Sequence, residues 1–213
     1  MSANPFTTTR IKALTERINV HTKAQIIEVT TRRTDEIQTD IARTFGAEAP
    51  IRRYVDGQLG KALSEVDPHG FTLTQFHTFG MIVDAAIRLL IETSPYGPEE
   101  GGHYQDDHWL FVNDTRRDFA LEGAVIDLAP EDVVVIVNPR PYARLIEGRP
   151  MNPRSRRMSD RRPGLSAQAP NGVYEISGRA LQRRFGNLAT FTFSMRAVSG
   201  FPKTFPSLTI VAR

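Results

Sequence analysis

The sequence contains no cysteine and only one tryptophan among its 213 residues. The lack of cysteine excludes disulfide bonds, thiolate nucleophiles and zinc sites built on sulfur ligands. No apolar run approaches the ~20 residues that a membrane-spanning helix needs. The first five residues show no basic region followed by an apolar stretch, so we expect no signal peptide and synthesis in the cytoplasm.

Lysine is also scarce, because only four of the 27 basic residues are lysine and the other 23 are arginine. Arginine offers a planar fork that pairs carboxylates and phosphates bidentately. A biased genome composition explains the ratio equally well. The net charge of +3 is modest, and the apolar fraction of 40% is ordinary for a globular protein. The position of the arginines is therefore more informative than their number.

The first 45 residues are predicted to form a helical extension, as one long helix or as two helices in line. Residues 7–45 carry a sparse apolar stripe, with threonines at the start and Phe45-Gly46 at the end as capping signals. The stretch 30–36 is entirely polar, so only a narrow face is available for packing. We expect this helix to flank the domain or to pack on a neighbouring subunit. The predicted division is a helical N-terminal extension, 1–48, and an α+β domain, 49–213.

The rest of the chain interleaves strand and helix patterns without a regular period. Residues 81–91 are apolar nearly all round, which predicts a central helix against the sheet. Residues 58–66 predict a weak helix or a loop, and a further edge strand is expected at 122–128. Alternating or continuous apolar runs predict the remaining strands at 51–57, 71–76, 109–113, 133–137, 189–195 and 207–211. The predicted fold class is α+β, with a mixed, mostly antiparallel sheet packed by two or three helices.

The stretch 133–185 is the most informative part of the sequence. Val133–Val137 is an unbroken run of β-branched residues, which predicts either a strand buried on both faces or a core strand of a small sheet. Asn138-Pro139 ends this strand, and Pro141 to Gly148 predicts a short helix. A long basic loop and a helix at 176–185 follow. This order specifies a fold but no catalytic group.

The sequence offers no motif typical of a catalytic or cofactor site. It lacks a serine on a glycine-flanked turn, a glycine-rich phosphate loop and a dinucleotide fingerprint. His103, Asp106, Asp107 and His108 form the one cluster with metal-ligand chemistry. This run leads straight into a strand, where successive side chains point to opposite faces, so a polar strand entrance is the better interpretation. We expect no enzymatic activity, no cofactor and no metal; a metal-dependent hydrolase is the weakest alternative.

Arginines are concentrated in the loop after the short helix. This loop has one acid, Asp160, and six arginines, at positions 149, 154, 156, 157, 161 and 162. Its prolines predict an extended, weakly self-packed segment. The loop could dock on an acidic surface of a partner subunit, contact nucleic acid through phosphates, or be a solvated loop. The lack of aromatic residues argues against a stacking platform for single strands, and we favour the protein partner.

The order of these motifs resembles the neck and tail-completion proteins of tailed double-stranded DNA bacteriophages, over about residues 50–196. The strongest part is the β-branched run followed by Asn138, Pro141-Tyr142-Ala143-Arg144 and Glu147, with Ala169-Pro170 and Gly172-Val173 opening a later helix. The other matching motifs are Tyr54-Val55-Asp56-Gly57, Val66, Gly70, Ser94-Pro95 and Gly102-His103-Tyr104. Two features depart from the pattern: the helical first 45 residues, and the length and basicity of the loop at 149–168.

The resemblance implies a structural role in the virion. Such proteins form a ring at the head–tail junction, most often the tail-terminator or tail-completion ring, and have no catalytic residues to carry over. For this chain it implies a homo-oligomeric ring, expected to be a hexamer, assembled in the host cytoplasm. Its partners would be connector and tail-tube proteins, with transient, sequence-independent contact to DNA in the channel and no membrane.

The alternative from a different class is a sequence-nonspecific nucleic-acid-binding protein acting through the arginine loop. In either case the expected function depends on contacts made by exposed, mostly cationic side chains. The residues expected to make subunit or partner contacts are Arg144, Glu147, Arg149, Arg154, Arg156, Arg157, Arg161 and Arg162.

Overall fold

The computed structural model describes residues 5–96, 104–118, 128–147, 149–150, 161–162 and 166–213. For residues 5–18, 149–150 and 161–162 it describes the backbone alone. The chain divides into two compact units, residues 1–78 and 79–213. The sequence-based division after residue 48 stays a prediction about the organisation of the protein.

The first unit is a long helix with a three-stranded antiparallel sheet. Helix α1 spans Pro5–Phe45 and ends where Gly46 takes a left-handed conformation, with φ of 78°. In sheet order the strands are β2 (Gln58–Leu59), β1 (Ile51–Val55) and β3 (Thr72–Phe76). The stretch predicted as a weak helix or a loop therefore contains the two-residue strand β2 and a 3-10 turn, Leu63–Glu65.

Polar contacts fix the second half of α1 to the strands. Thr30 Oγ1 lies 2.8 Å from Thr72 Oγ1, and Arg53 Nη2 donates to Thr34 Oγ1 at 3.3 Å. Gln38 brackets Ala49, donating to its carbonyl at 2.8 Å and accepting from its N–H at 2.9 Å. A helix of this length is ~60 Å long and a five-residue strand ~17 Å, so the sheet can underlie only part of it.

The second unit is built on a five-stranded sheet in which every strand pair is antiparallel. In sheet order the strands are β5 (Thr115–Arg117), β4 (Trp109–Val112), β6 (Val133–Val137), β10 (Thr204–Ala212) and β9 (Ala189–Ala197). Residues 134–137 of the central strand β6 are at most 2% exposed. This burial confirms the predicted core strand. Within the described residues this sheet therefore contains no parallel pair of strands.

Three helices complete this unit: α2 (Phe79–Thr93), α3 (Ala143–Ile146) and α4 (Tyr174–Phe185). Helix α4 lies on β9 and β10, and α2 packs against α4. Gly178 lets α4 come close to the sheet, since a Cβ at this position would lie 2.8 Å from Leu208 Cδ1. The elements confirm the α+β class.

A two-stranded hairpin, β7 (Arg149–Pro150) and β8 (Arg161–Arg162), follows α3. The edge strand predicted at 122–128 lies outside the described residues, apart from Leu128, which is buried. Within the part of the chain that the structure describes, no helix has the length and hydropathy needed to cross a membrane.

Candidate assembly surface

Asn138 fixes the point where the chain leaves β6. It is fully buried, and its Nδ2 donates to the carbonyl of Tyr104 at 2.7 Å. Its Oδ1 accepts from the N–H of Arg140 at 3.1 Å, which closes a turn of the kind asparagine favours. Its own N–H donates to the carbonyl of Pro206 at 3.3 Å. The segment that leads into α3 is therefore tied to β10 and to the 3-10 turn at Tyr104–Asp106.

Glu147, directly after α3, caps helix α4 from a distance. Its side chain is buried, and Oε1 accepts from the N–H groups of Val173 at 3.1 Å and Tyr174 at 3.0 Å. Val173, the N-cap residue, makes no capping bond with its own side chain. The first N–H groups of a helix lack partners within the helix, and the positive end of the helix dipole favours a carboxylate there.

Gly172 makes room for this carboxylate. Its φ is 85°, a left-handed conformation that side chains rarely adopt. A Cβ on Gly172 would also lie 2.7 Å from Glu147 Oε2 and 3.1 Å from Glu147 Cα. One contact thus explains why the motif contains a glutamate, and 25 residues later a glycine followed by the start of a helix.

A buried chain of hydrogen bonds runs from α4 to the end of α2. The hydroxyl of Tyr174 lies 2.7 Å from His108 Nδ1, and His108 Nε2 lies 3.0 Å from Ser94 Oγ. Ser94 donates its one hydroxyl proton to the carbonyl of Leu90 at 2.6 Å. Ser94 must therefore accept from Nε2–H, which leaves Nδ1 to accept from Tyr174. Burial lowers the pKa of His108 to about 4, so the ring is neutral at neutral pH.

Tyr104 packs against the same cluster. Its ring meets His108 edge to face at 5.7 Å between centroids and lies 6.2 Å from the ring of Tyr142. Burial raises the pKa of Tyr104 well above its usual value, and the nearby Glu147 carboxylate raises it further. The phenols and the imidazole are thus held neutral around one carboxylate. The arrangement stabilises the junction of α3, α4 and the 104–106 turn.

The surface of α3 faces outward between the anchors Asn138 and Glu147. Tyr142 is 36% exposed, Leu145 is 43% exposed, and Arg144 is exposed. We call these three residues the α3 face. Arg144 lies at the surface, and its role as a contact residue stays a prediction. Glu147, also expected to contact a partner, is instead buried and bonds the start of α4.

The basic hairpin continues from the α3 face. Its register pairs Arg149 with Arg162 and Pro150 with Arg161. Like charges at facing positions of a strand pair destabilise it unless a counter-charge lies near. The other arginines of the loop, Arg154, Arg156 and Arg157, lie outside the described residues.

Asp56 organises a loop of the first unit in a similar way. Its Oδ2 accepts from Lys61 Nζ at 2.6 Å and from the N–H of Asp67 at 3.0 Å, and Oδ1 accepts from the N–H of Phe71 at 3.2 Å. The bond from Lys61, and then the two N–H groups, hold the pKa of Asp56 below its usual value. A Cβ on Gly70 would lie 1.8 Å from Oδ1. Asp56 and Gly70, which belong to the other matching motifs, therefore close a turn in this loop.

The cluster considered as a metal site is divided between different partners. Asp107 forms an ion pair with Arg140, and His108 is in the core with Tyr174. His103 lies outside the described residues. Among the residues that are described, no three His, Asp or Glu side chains converge as metal ligands would.

Sequence reasoning missed the partners of His108 and the capping role of Glu147. Tyr174 and Ser94 lie 66 and 14 residues from His108, and the capped helix starts 27 residues after Glu147. The sequence holds one usable signal. Asn171-Gly172 precedes a helix without a capping side chain, so the first N–H groups of that helix need an acceptor from a distant residue.

Comparison with protein-family models, curated proteins and solved structures found no match to this chain. Its function must therefore be argued from the surfaces described above and from the motifs in its sequence.

Proposed function

We propose that this chain is a structural subunit of a bacteriophage head–tail junction, working by self-assembly and docking. Its place would be the tail-terminator or tail-completion ring, a homo-oligomer, expected to be a hexamer, between connector and tail-tube proteins. The motifs quoted above suggest this class of protein. Further support comes from two of the motif residues, Asn138 and Glu147, which anchor the two ends of the segment that contains α3.

The observation that carries the proposal is the construction of the α3 face. Asn138 and Glu147 anchor the two ends of the segment inside the fold, while Tyr142, Arg144 and Leu145 stay exposed between them. Tyrosine and arginine are enriched where proteins bind one another, and a rigid support lowers the entropy cost of binding. A face of this kind is suited to docking.

Helix α1 gives secondary support. Val20 is 70% exposed, Val29 47% and Ile37 42%, so apolar side chains lie on a helix that the small sheet underlies only in part. Long helices with little apolar burial of their own gain stability from a neighbour. A ring built from one kind of subunit needs two different surfaces on each copy, and α1 and the α3 face are separate candidates for them.

Imaging of the purified protein tests the proposal. We expect negative-stain images and light scattering to reveal closed rings, and Arg144→Ala combined with Leu145→Ser to lower the ring fraction at least tenfold without loss of folding. Arg183→Ala, an exposed arginine on α4, is the matched control and should leave ring formation intact. A monomer at every concentration, alone and with connector or tail-tube proteins, would refute a ring subunit.

A second candidate function is sequence-nonspecific binding of nucleic acid by the basic hairpin. The backbone register that sets Arg149 opposite Arg162 favours it, because arginine is suited to binding phosphate. Phosphate contacts make affinity fall with salt, and each lost contact should reduce the slope by ~1. We expect Arg149→Ala with Arg162→Ala to flatten the salt dependence of DNA affinity, whereas Arg183→Ala should not. A wild type without measurable DNA affinity would eliminate this candidate.

A further inference from the structure

Among the residues that the structure describes, strand β9 forms an open edge of the five-stranded sheet. Its nine residues pair with β10 in an unbroken register, without a bulge or a proline, and Arg196 is its one charged residue. Natural edge strands are usually short, charged, bulged or covered, because an open edge can pair with another chain. The opposite edge, β5, follows that rule, since it has three residues, two of them arginine.

The backbone groups of every second residue of β9 point away from the sheet. Met195 pairs with Pro206, whose carbonyl accepts from Asn138 on the β6 side. Proline has no N–H, so Met195 and Pro206 form a pair without mutual hydrogen bonds, and the N–H and C=O of Met195 face outward. Phe193 and Ala197 have the same orientation by the period of two.

Phe191 marks where this open edge stops. Its N–H, which also points outward, donates to Gln182 Oε1 of α4 at 3.0 Å. Beyond it, none of the described residues bonds the outward backbone groups of Phe193, Met195 or Ala197. Their side chains share one face, with Met195 37% exposed. The open edge is thus the segment 193–197.

We propose that this edge pairs antiparallel with the same strand of a second copy of the chain, about a two-fold axis at Met195. Met195 then faces Met195 of the partner subunit, and Phe193 faces Ala197 of the partner subunit. The exchange supplies about six backbone hydrogen bonds and brings apolar side chains together.

Charge favours strand β9 of the second copy, and not its strand β5, as the pairing partner. In the two-fold register Arg196 faces Ser194 of the partner subunit, so like charges are not opposed. Pairing with the other edge would offer only the three residues of β5, two of which are arginine. Two-fold, self-complementary interfaces are also the commonest in homo-oligomers. The inference rests on β9 and not on the proposed function.

Single-cysteine cross-linking is a direct test, because the chain has no cysteine of its own. Facing residues of a hydrogen-bonded antiparallel pair have Cα atoms ~5.5 Å apart, within the range of a disulfide. Under mild oxidation Met195→Cys should form a covalent dimer at least tenfold faster than Thr192→Cys, an exposed position that would not face itself. Equal rates for the two variants would overturn the proposal.

A second measurement uses sedimentation equilibrium. Met195→Lys places two like charges at facing positions and should weaken dimerisation at least tenfold, whereas Thr192→Lys should change it much less. Unchanged circular dichroism would establish that both variants are folded. A wild type that is monomeric at all concentrations would refute the pairing. Rings without the Met195 cross-link would refute only this inference, and cross-linked dimers that never form rings would refute only the proposed function.

Discussion

Two carboxylates, Glu147 and Asp56, play the same structural role, one in each unit. Each accepts backbone N–H groups from a segment distant in sequence. Each also faces a glycine, Gly172 or Gly70, at a distance that leaves no room for a Cβ. A pairing of acid with glycine is therefore a structural device here, and both pairs lie in the motifs that carry the family resemblance.

The contact between Gly172 and Glu147 predicts a specific loss of stability. Gly172→Ala should cost ~3 kcal/mol, from the left-handed backbone and the displaced carboxylate. Gly200→Ala is the matched control, because Gly200 has the same φ of 85° but nothing within 4 Å of a Cβ. It should cost ~1 kcal/mol. Urea unfolding followed by the fluorescence of Trp109, the single tryptophan, measures both. Equal losses would show that the carboxylate contact adds nothing.

His108 predicts a dependence of stability on pH. Its pKa is about 4 in the fold, against 6.5 without the fold, so between these values the unfolded chain binds more protons. Stability is then complete above pH 6.5 and falls as the pH drops toward 4, by up to ~3 kcal/mol. Urea unfolding at several pH values should detect this slope, and His108→Gln should flatten it. The same change at the exposed His69 should leave the slope intact; a slope that survives His108→Gln would contradict the assignment.

At the scale of elements, α1 depends on a few polar contacts for its position. Gln38 bonds both the N–H and the carbonyl of Ala49, just before β1 begins. These bonds add to the packing of the sparse apolar stripe of the helix.

Gln38→Ala should therefore release the second half of α1. The expected cost is ~1–2 kcal/mol, since a pair of partly buried hydrogen bonds is lost. Hydrogen exchange should become faster in residues 30–45, while Gln25→Ala, at an exposed position that bonds only His21, should leave exchange there unchanged. Gln38→Glu keeps an acceptor for the N–H of Ala49, so its exchange rate should lie between those of Gln38→Ala and Gln25→Ala. No change for Gln38→Ala would mean that α1 is held by other contacts.

At the scale of the whole molecule, the sequence predicted most elements because their signals are local. Val133–Val137 is a run of β-branched residues in the sequence and a strand in the fold, buried at every position after Val133. Helix α2 was equally clear from its apolar residues. The α+β class followed from the order of such elements.

The candidate site was harder to predict because its contacts join distant residues. A glutamate at the end of a short helix is typical of a solvated surface, and no local pattern says that Glu147 turns inward to cap α4. His108 was grouped with neighbours in sequence, although its real partners come from α2 and α4. Periodicity reports which face of an element is buried, but it does not report which distant side chain lies there.

The central position of β10 has a consequence for how the protein is made. Residues 204–212 pair with β6 on one side and β9 on the other, so the sheet cannot close until they have left the ribosome. Val137 cannot pair with Ser207 until about 70 more residues have been synthesised. Contacts so far apart in sequence slow folding. A nascent chain stalled before residue 204 should leave the amides of Val134 and Ile136, which point toward β10, unprotected from exchange, whereas release of residues 204–212 should protect both together. The five-stranded sheet would then form only after residues 204–212 have emerged, although β4, β5 and β6 are made earlier.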